Sequence, residues 1–105
     1  MTEVTHAQQC AEYLKALGEP VRLAIINLLR SGEKNVSEIA EQLEIELQNA
    51  SHHLKVLSHS KLVTAKKKGR FVLYSLNPSF FNNESENGRF DFGCCSFELT
   101  QLTTE

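Results

Sequence analysis

Three cysteines offer the clearest ligand chemistry in this 105-residue sequence: Cys10 near the N-terminus, and the adjacent Cys94 and Cys95 near the C-terminus. Thiolates are soft ligands that select arsenite, antimonite, cadmium, copper(I) or zinc, and three of them can cap a trigonal ion such as arsenite. The ordinary alternative is that each thiol packs as a small hydrophobic group. We therefore expect a soft-ion site at Cys94 and Cys95, joined by Cys10 if the fold brings it close.

The adjacent pair restricts the backbone that such a site can use. On a regular strand Cys94 and Cys95 point to opposite faces, so both can bind one ion only where the backbone is irregular. Gly93 directly precedes them and permits such a conformation. Three cysteines are an odd number and too few for a disulfide scaffold, which indicates free thiols in a reducing compartment.

A second group of functional residues lies between Leu47 and Leu76, where the chain has six Lys or Arg and no Asp or Glu. Before this stretch four basic residues stand against eight acidic ones, and after it one stands against five. The chain therefore contains a cationic segment although its net charge is −2. Clustered positive charge of this kind is suited to the phosphates of nucleic acid.

The first half of that segment carries polar side chains at helical spacing. Gln and Asn can pair bidentately with adenine, while Ser, His and Lys can bond base edges or phosphates. Adjacent helix positions point about 100° apart, so only one of the two adjacent histidines is expected to read bases, and the other should pack or contact the backbone. The alternative is a solvated helix face, which usually contains lysine and glutamate. The candidate DNA-binding residues here are Gln48, Asn49, Ser51, His52, His53 and Lys55.

Hydrophobic spacing and helix-end signals predict four helices that position these residues. Thr5 and Gln8 can form a capping box for the first helix, and Pro20 suits the first turn of the second. Asn35 and Glu38 can form a capping box for the third. The predicted ranges are about 6–16, 20–32, 35–44 and 47–58, the last with Leu47, Ala50, Leu54 and Leu57 on its buried side.

Two short helices joined by three residues, the second polar and basic outside, are typical of a helix-turn-helix. Branched and aromatic residues at 62–66 and 70–76 then predict a β-hairpin, or wing, with Lys67-Lys68-Gly69 at its tip. The fold class is therefore mainly α with a small β-hairpin: a winged helix-turn-helix domain, expected to be dimeric. Unless the tip is an ordinary solvated turn, the side chains expected to bind phosphates or the minor groove are Lys66, Lys67, Lys68 and Arg70.

Four segments occur in an informative order along the chain. They are Leu17-Gly18-Glu19-Pro20-Val21-Arg22-Leu23, Val36-Ser37-Glu38-Ile39-Ala40, Ser51-His52-His53-Leu54-Lys55-Val56-Leu57, and Gly69-Arg70 before Tyr74-Ser75-Leu76. Together they resemble the ArsR/SmtB family of bacterial metal-responsive repressors over about residues 7–78. The resemblance implies a homodimer that binds promoter DNA and leaves it when an inducer binds. Two recognition helices about one DNA turn apart then imply a near-palindromic operator.

Two kinds of metal site found in that family lack their ligands here. One uses cysteines on the helix that corresponds to residues 35–44, and this segment has no cysteine. The other uses acidic residues and histidines of a C-terminal helix, where this chain has Asp91 and Glu98 but no histidine after His59. Sensing is therefore assigned to Cys94 and Cys95, with Cys10 as the third thiol.

The tail from residue 79 departs from the family pattern. Residues 77–81 can begin a helix, but 82–88 are polar and turn-prone, and 89–93 alternate like a strand. Helical spacing is also met by Phe92, Cys95, Leu99 and Leu102. We expect a strand-like segment over about 89–99 that helps to build the dimer.

Length and hydropathy predict one domain, residues 1–105, with a core at 6–78 and a tail at 79–105 that serves dimerisation or sensing. No apolar run is long enough to cross a bilayer and the N-terminus lacks a signal-peptide pattern, so a cytoplasmic protein is expected.

The expected function is a sequence-specific repressor that a thiophilic metal or metalloid such as arsenite releases from its operator, with no obligatory cofactor. A thiol redox or persulfide sensor of the same fold uses the same cysteines, with a disulfide in place of the ion. A winged-helix module that binds protein fits the overall acidity but not the acid-free face. An enzyme is not expected, because no nucleophile, base and orienting group occur together.

Overall fold

A computed structural model describes residues 3–82 and 88–100 of the chain. Four helices and two small antiparallel sheets make up the described part. The helices are α1 (Glu3–Leu17), α2 (Pro20–Leu29), α3 (Val36–Leu43) and α4 (Leu47–His59). The strands are β1 (Lys34–Asn35), β2 (Val63–Lys68), β3 (Phe71–Leu76), β4 (Phe81–Asn82), β5 (Arg89–Asp91) and β6 (Ser96–Glu98). Their order is β1-β3-β2 in one sheet and β4-β5-β6 in the other.

The ends of the middle helices follow from local sequence. Asn35 and Glu38 form the predicted capping box at the start of α3, which satisfies backbone N–H groups that the helix itself leaves free. Glu44 ends α3 in the left-handed conformation, with φ of 55°. Three residues then lead into α4, as expected for a helix-turn-helix. The capping box predicted for Thr5 and Gln8 is wrong, because α1 already includes Glu3.

The core lies between the helices and the base of the wing. Ile25 and Ile26 of α2, Leu54 and Leu57 of α4, and Ile39 of α3 are fully buried in it. The prediction that Leu47 belongs to the buried side of α4 is wrong, since this side chain is 52% exposed. Leu47 is the first residue of the helix, and burial on that side begins one turn later, at Ala50.

The wing is longer than the hydrophobic pattern indicated. β2 pairs with β3 from Val63 opposite Leu76 to Lys68 opposite Phe71. Lys67 and Lys68 therefore lie within β2, and the predicted tip at Lys67-Lys68-Gly69 is wrong. The turn consists of Gly69 and Arg70, with Gly69 at φ of 62°, as a tight two-residue hairpin with glycine in its first position requires.

The tail forms the second sheet, in which the strand-like structure expected over 89–99 is present as two short strands, β5 and β6, joined by a turn at 92–95. β5 pairs with β6 from Arg89 opposite Glu98 to Asp91 opposite Ser96. A helix does not begin at residues 77–81, where a turn leads into β4. Phe90 and Leu99 of the tail are buried in the same core as the helices. Among the residues described, the helices are too short or too polar to cross a membrane.

Candidate functional site

The fold brings all three cysteines together. Their sulfur atoms lie within 4.8 Å of one another, and the Sγ atoms of Cys10 and Cys95 are 2.8 Å apart. The expectation of free thiols is wrong for two of the three, because Cys10 and Cys94 are joined by a disulfide with a Cα–Cα distance of 6.1 Å. Cys10 is only 8% exposed, Cys95 is half-buried and Cys94 is exposed. This thiol cluster therefore opens to solvent on the side of Cys94.

The turn between β5 and β6 is what presents both tail cysteines to Cys10. Gly93 has φ of 88°, a conformation that favours glycine, so the irregular backbone expected at this position is present. The backbone N–H of Gly93 donates to Oδ1 of Asp91 at 2.8 Å, and that of Phe92 donates to the Cys95 carbonyl at 2.9 Å. These bonds close the turn and direct both thiols toward α1.

Aromatic packing and one arginine hold this sheet against the helices. Tyr13 of α1 stacks on Phe92, with ring centroids 4.8 Å apart. On α2's C-terminal side, Nη1 of Arg30 donates to the carbonyls of Leu99 at 2.6 Å and Thr100 at 2.9 Å. Both ends of the β5–β6 hairpin are therefore attached to the helical core.

The thiol cluster can exist in two chemical states. As a disulfide plus one thiol, with the sulfurs within 4.8 Å of one another, it is oxidised. Reduction converts it to three thiols, which can bind a soft ion as thiolates. Within residues 3–82 and 88–100, no other group of three Cys, His, Asp or Glu ligand atoms comes this close. A cavity of about 280 Å³ adjoins the cluster and is lined by His6, Gln9, Tyr13, Phe92, Gly93 and Cys94.

The exposed face of α4, which we call the reading face, carries the polar residues expected to meet DNA. Gln48, Asn49, His52 and Lys55 are exposed, and Ser51 is half-buried. Polar hydrogen-bonding groups, together with the charge of Lys55, are thus available along successive turns, while Ala50, Leu54 and Leu57 face the core. This arrangement can place donors and acceptors against the edges of bases.

His53 lies away from the reading face and is only 8% exposed. Its Nδ1 is 3.2 Å from Nη1 of Arg22 and 3.7 Å from Oε2 of Glu19. Because a guanidinium can only donate, Nδ1 of His53 is the acceptor in this hydrogen bond. Of the two adjacent histidines, the structure therefore exposes His52 and packs His53.

Arg22 connects three elements, a role that sequence patterns did not indicate. Its Nε donates to the carbonyl of Ala16 in the last turn of α1, and its own N–H donates to Glu19, which caps α2. Through His53 it also contacts α4. The motif around Pro20 marked this arginine, but only the packing of three helices defines its partners.

The cations of the wing are all exposed, but they differ in their partners. Lys66, Lys67 and Arg70 project from the hairpin into solvent. Nζ of Lys68 forms an ion pair with Oε2 of Glu33 at 3.3 Å, which offsets part of its charge. Phe71 beside them is 53% exposed.

Comparison with known proteins identifies relatives for most of the chain. A helix-turn-helix domain family matches residues 17–64. The transcriptional repressor SdpR of Bacillus subtilis is 38% identical over 63 residues, which cover 60% of this chain and 70% of SdpR. The arsenical resistance operon repressor of Staphylococcus xylosus is 34% identical over 80 residues, which cover 76% of this chain and 77% of that protein.

A solved structure of similar shape comes from Mycobacterium bovis. It is Mb0332, described as a homodimeric winged helix-turn-helix DNA-binding domain and a possible ArsR-family regulator. It superposes with a TM-score of 0.68 at 32% identity, covering 73% of each chain. The similarity therefore covers 73% of this chain in both sequence and shape.

Proposed function

The chain belongs to the ArsR/SmtB family of winged helix-turn-helix transcriptional repressors, and we propose that a thiophilic metal or metalloid ion releases it from its operator. The ion is held by Cys10, Cys94 and Cys95. The observation that carries this proposal is the approach of three sulfurs from the two ends of the chain to within 4.8 Å. Arsenite, antimonite, cadmium, copper(I) and zinc are the ions that such a donor set selects.

DNA is bound by two surfaces with different tasks. The reading face enters the major groove and contacts bases with Gln48, Asn49, Ser51, His52 and Lys55. The wing binds phosphates through Lys66, Lys67, Lys68 and Arg70. His53 positions the helix instead of contacting DNA, because its side chain is buried against Arg22.

The active form in this proposal is a homodimer. Mb0332, which is similar to this chain, is described as homodimeric. Residues Val4 and Leu14 of α1 are large, apolar and exposed, and the dimer buries such surface. Two-fold symmetry places the recognition helices about one DNA turn apart on a near-palindromic operator.

In this proposal the effect of ion binding passes along α1 to the recognition helix. An ion bound at Cys10 acts on this helix, and the carbonyl of Ala16 near its end accepts a bond from Arg22. Arg22 in turn contacts His53 of the recognition helix. The ion releases DNA only if it favours a geometry that no longer fits the operator, with couplings between such sites typically about 1 to 3 kcal/mol.

The decisive experiment measures binding of the fully reduced protein to a labelled duplex from its own upstream promoter. Arsenite, cadmium, zinc and copper(I) are then added separately, and fluorescence anisotropy reports release. We expect at least one of these ions to lower the affinity for DNA by about 5- to 150-fold, the range that such couplings give.

The matched control is the double variant Cys94→Ser with Cys95→Ser, which retains the reading face and the wing. It should bind the duplex as the parent protein does and stay bound when the ion is added. If no ion releases the parent protein, or if the double variant responds normally, the proposed sensing is wrong.

A thiol redox sensor is the second candidate, favoured by the disulfide between Cys10 and Cys94. In its reaction the two thiols lose two protons and two electrons to a disulfide, peroxide or persulfide oxidant. Reversible release of DNA by the oxidant in a metal-free buffer containing a chelator, restored by a dithiol reductant, selects this function over ion sensing.

A further inference from the structure

His6 lies beside the thiol cluster, in a position from which it can supply a fourth ligand to an ion bound there. It precedes Cys10 by four residues on α1, and side chains at this spacing share one helix face with Cβ atoms about 5 to 6 Å apart. His6 also lines the 280 Å³ cavity whose wall includes Cys94. The imidazole therefore borders the cluster along the helix and again across the cavity.

We propose that His6 completes a Cys3His site for a tetrahedral divalent ion, zinc or cadmium, while a trigonal ion such as arsenite uses the three thiolates alone. This inference rests on the proposed ion sensing and concerns its selectivity. Tetrahedral zinc sites take four ligands, and three cysteines with one histidine are an established set. Three thiolates already fill all the ligand positions of a trigonal ion, so arsenite does not need the imidazole.

The surroundings allow the movement that this role requires. The ligand atoms of the three cysteines form a close group that does not include His6, so the ring must turn into the cavity when an ion binds. His6 is exposed and can change rotamer at little cost, and the cavity beside it gives the ring space. Cys94, the exposed member of the cluster, faces the same cavity.

Gln9 and Tyr13 line that cavity as well. A histidine ligand usually donates its second ring N–H to an oxygen nearby, which orients the ring. The amide oxygen of Gln9 and the phenolic oxygen of Tyr13 are both suited to accept such a bond. The cavity thus offers a partner for the nitrogen that does not bind the ion.

The test compares reduced full-length protein with the variants His6→Ala and His59→Ala. His59 is an exposed histidine on α4 and lies outside both the cluster and its cavity, which makes it the matched control. Affinities for zinc and cadmium are measured by competition with a chromophoric chelator, and the affinity for arsenite by thiol protection. The ¹¹³Cd NMR shift of each protein reports the donor set directly.

We expect His6→Ala to weaken zinc and cadmium binding by at least about tenfold, the effect that loss of even an outer-shell partner can have. Arsenite binding should stay unchanged, and the ¹¹³Cd resonance should move while that of His59→Ala does not. Unchanged cadmium affinity and ¹¹³Cd shift in His6→Ala overturn the inference but leave ion sensing intact.

Two further outcomes also decide the matter. Equal losses for arsenite and cadmium in His6→Ala assign His6 to the structure of α1 and reject its role as a ligand. If the parent protein itself binds neither zinc nor cadmium, the inference fails, whereas the proposed ion sensing is decided by release from the promoter duplex.

Discussion

Nη1 of Arg22 donates to Nδ1 of His53 at 3.2 Å and so attaches α2 to the buried side of the recognition helix. The same guanidinium binds the carbonyl of Ala16 at the end of α1. One side chain therefore fixes the relative positions of the helix that carries Cys10 and the helix that carries the reading face. The contact therefore links the position of α1, which carries Cys10, to that of α4.

Replacing Arg22 by Ala should destabilise the protein by about 1 to 3 kcal/mol, because the ring nitrogen of His53 and the carbonyl of Ala16 lose their partner. Urea denaturation measures the change. Arg89→Ala is the control: Arg89 is exposed and its ion pair with Glu98 is 3.7 Å long, so this change should cost less than about 1 kcal/mol. Equal stabilities of the two variants would contradict the role assigned to Arg22.

The adjacent histidines should respond in opposite ways to substitution. His52→Ala removes an exposed side chain of the reading face, so we expect weaker binding to the operator with a stability change within about 0.5 kcal/mol. His53→Ala removes a buried, hydrogen-bonded ring, so we expect a clear loss of stability. Fluorescence anisotropy with operator duplex and denaturant unfolding, measured on both variants, separate the two effects. A normal operator affinity in His52→Ala would contradict the DNA-binding role of the reading face.

The two lysines at the end of β2 should differ in their effect on salt dependence. Each phosphate contact contributes about 0.9 to the slope of log affinity against log salt concentration. Lys67→Ala should therefore lower the magnitude of the slope by about that amount. Lys68→Ala should lower it less, because Lys68 already pairs with Glu33 at 3.3 Å. Binding isotherms at several salt concentrations check this, and identical slopes for both variants and the parent protein exclude the wing as a phosphate-binding surface.

The variants Gly88→Ala and Gly69→Ala form a matched pair that tests how the tail is attached to the helices. Both have φ of 62°, a conformation that L side chains rarely adopt, so alanine strains the backbone at either position. A Cβ on Gly88 would also lie 2.5 Å from Nε of Arg30, whereas a Cβ on Gly69 meets nothing within 4 Å. Gly88→Ala should therefore destabilise the protein more than Gly69→Ala, because Arg30 must leave the carbonyls of Leu99 and Thr100.

Thermal or urea unfolding of both glycine variants measures that difference. A smaller loss in Gly88→Ala than in Gly69→Ala would show that Arg30 does not anchor the tail.

Alkylation should distinguish the three thiols of the reduced protein by their exposure. Cys94 is exposed, Cys95 is half-buried and Cys10 is buried, so iodoacetamide should label them in that order. A bound thiophilic ion should protect all three, since they share one site. Peptide mass spectrometry after timed labelling reads the order, and protection of only the tail pair would remove Cys10 from the site.

Much of the fold was predictable because its signals are local. The capping box of Asn35 and Glu38, the three-residue turn before α4 and the alternation of residues 89–93 each depend on neighbours within a few positions. The polar face of α4 was equally readable from spacing alone. The tip of the wing was less so, because pairing with β3 extended β2 through Lys67 and Lys68.

The site required information that no local pattern contains. Helical spacing separates His52 from His53 by angle, but only the packing of Arg22 and Glu19 decides which one is buried. The pairing of Lys68 with Glu33 likewise spans 35 positions. Such contacts depend on how elements pack, and packing is set by the sum of many side chains in the core.

The sequence by itself determined the kind of protein: a winged helix-turn-helix with an acid-free DNA-binding segment and three thiols of soft-ligand chemistry. Tertiary structure alone decided that Cys10 meets Cys94 and Cys95 across a separation of 84 residues, and that His6 borders them. The physical reason is the distance along the chain over which the interactions act. Helix ends and strand alternation arise from interactions between near neighbours, whereas a ligand cluster forms only after the hairpin of the tail has docked on α1 and α2.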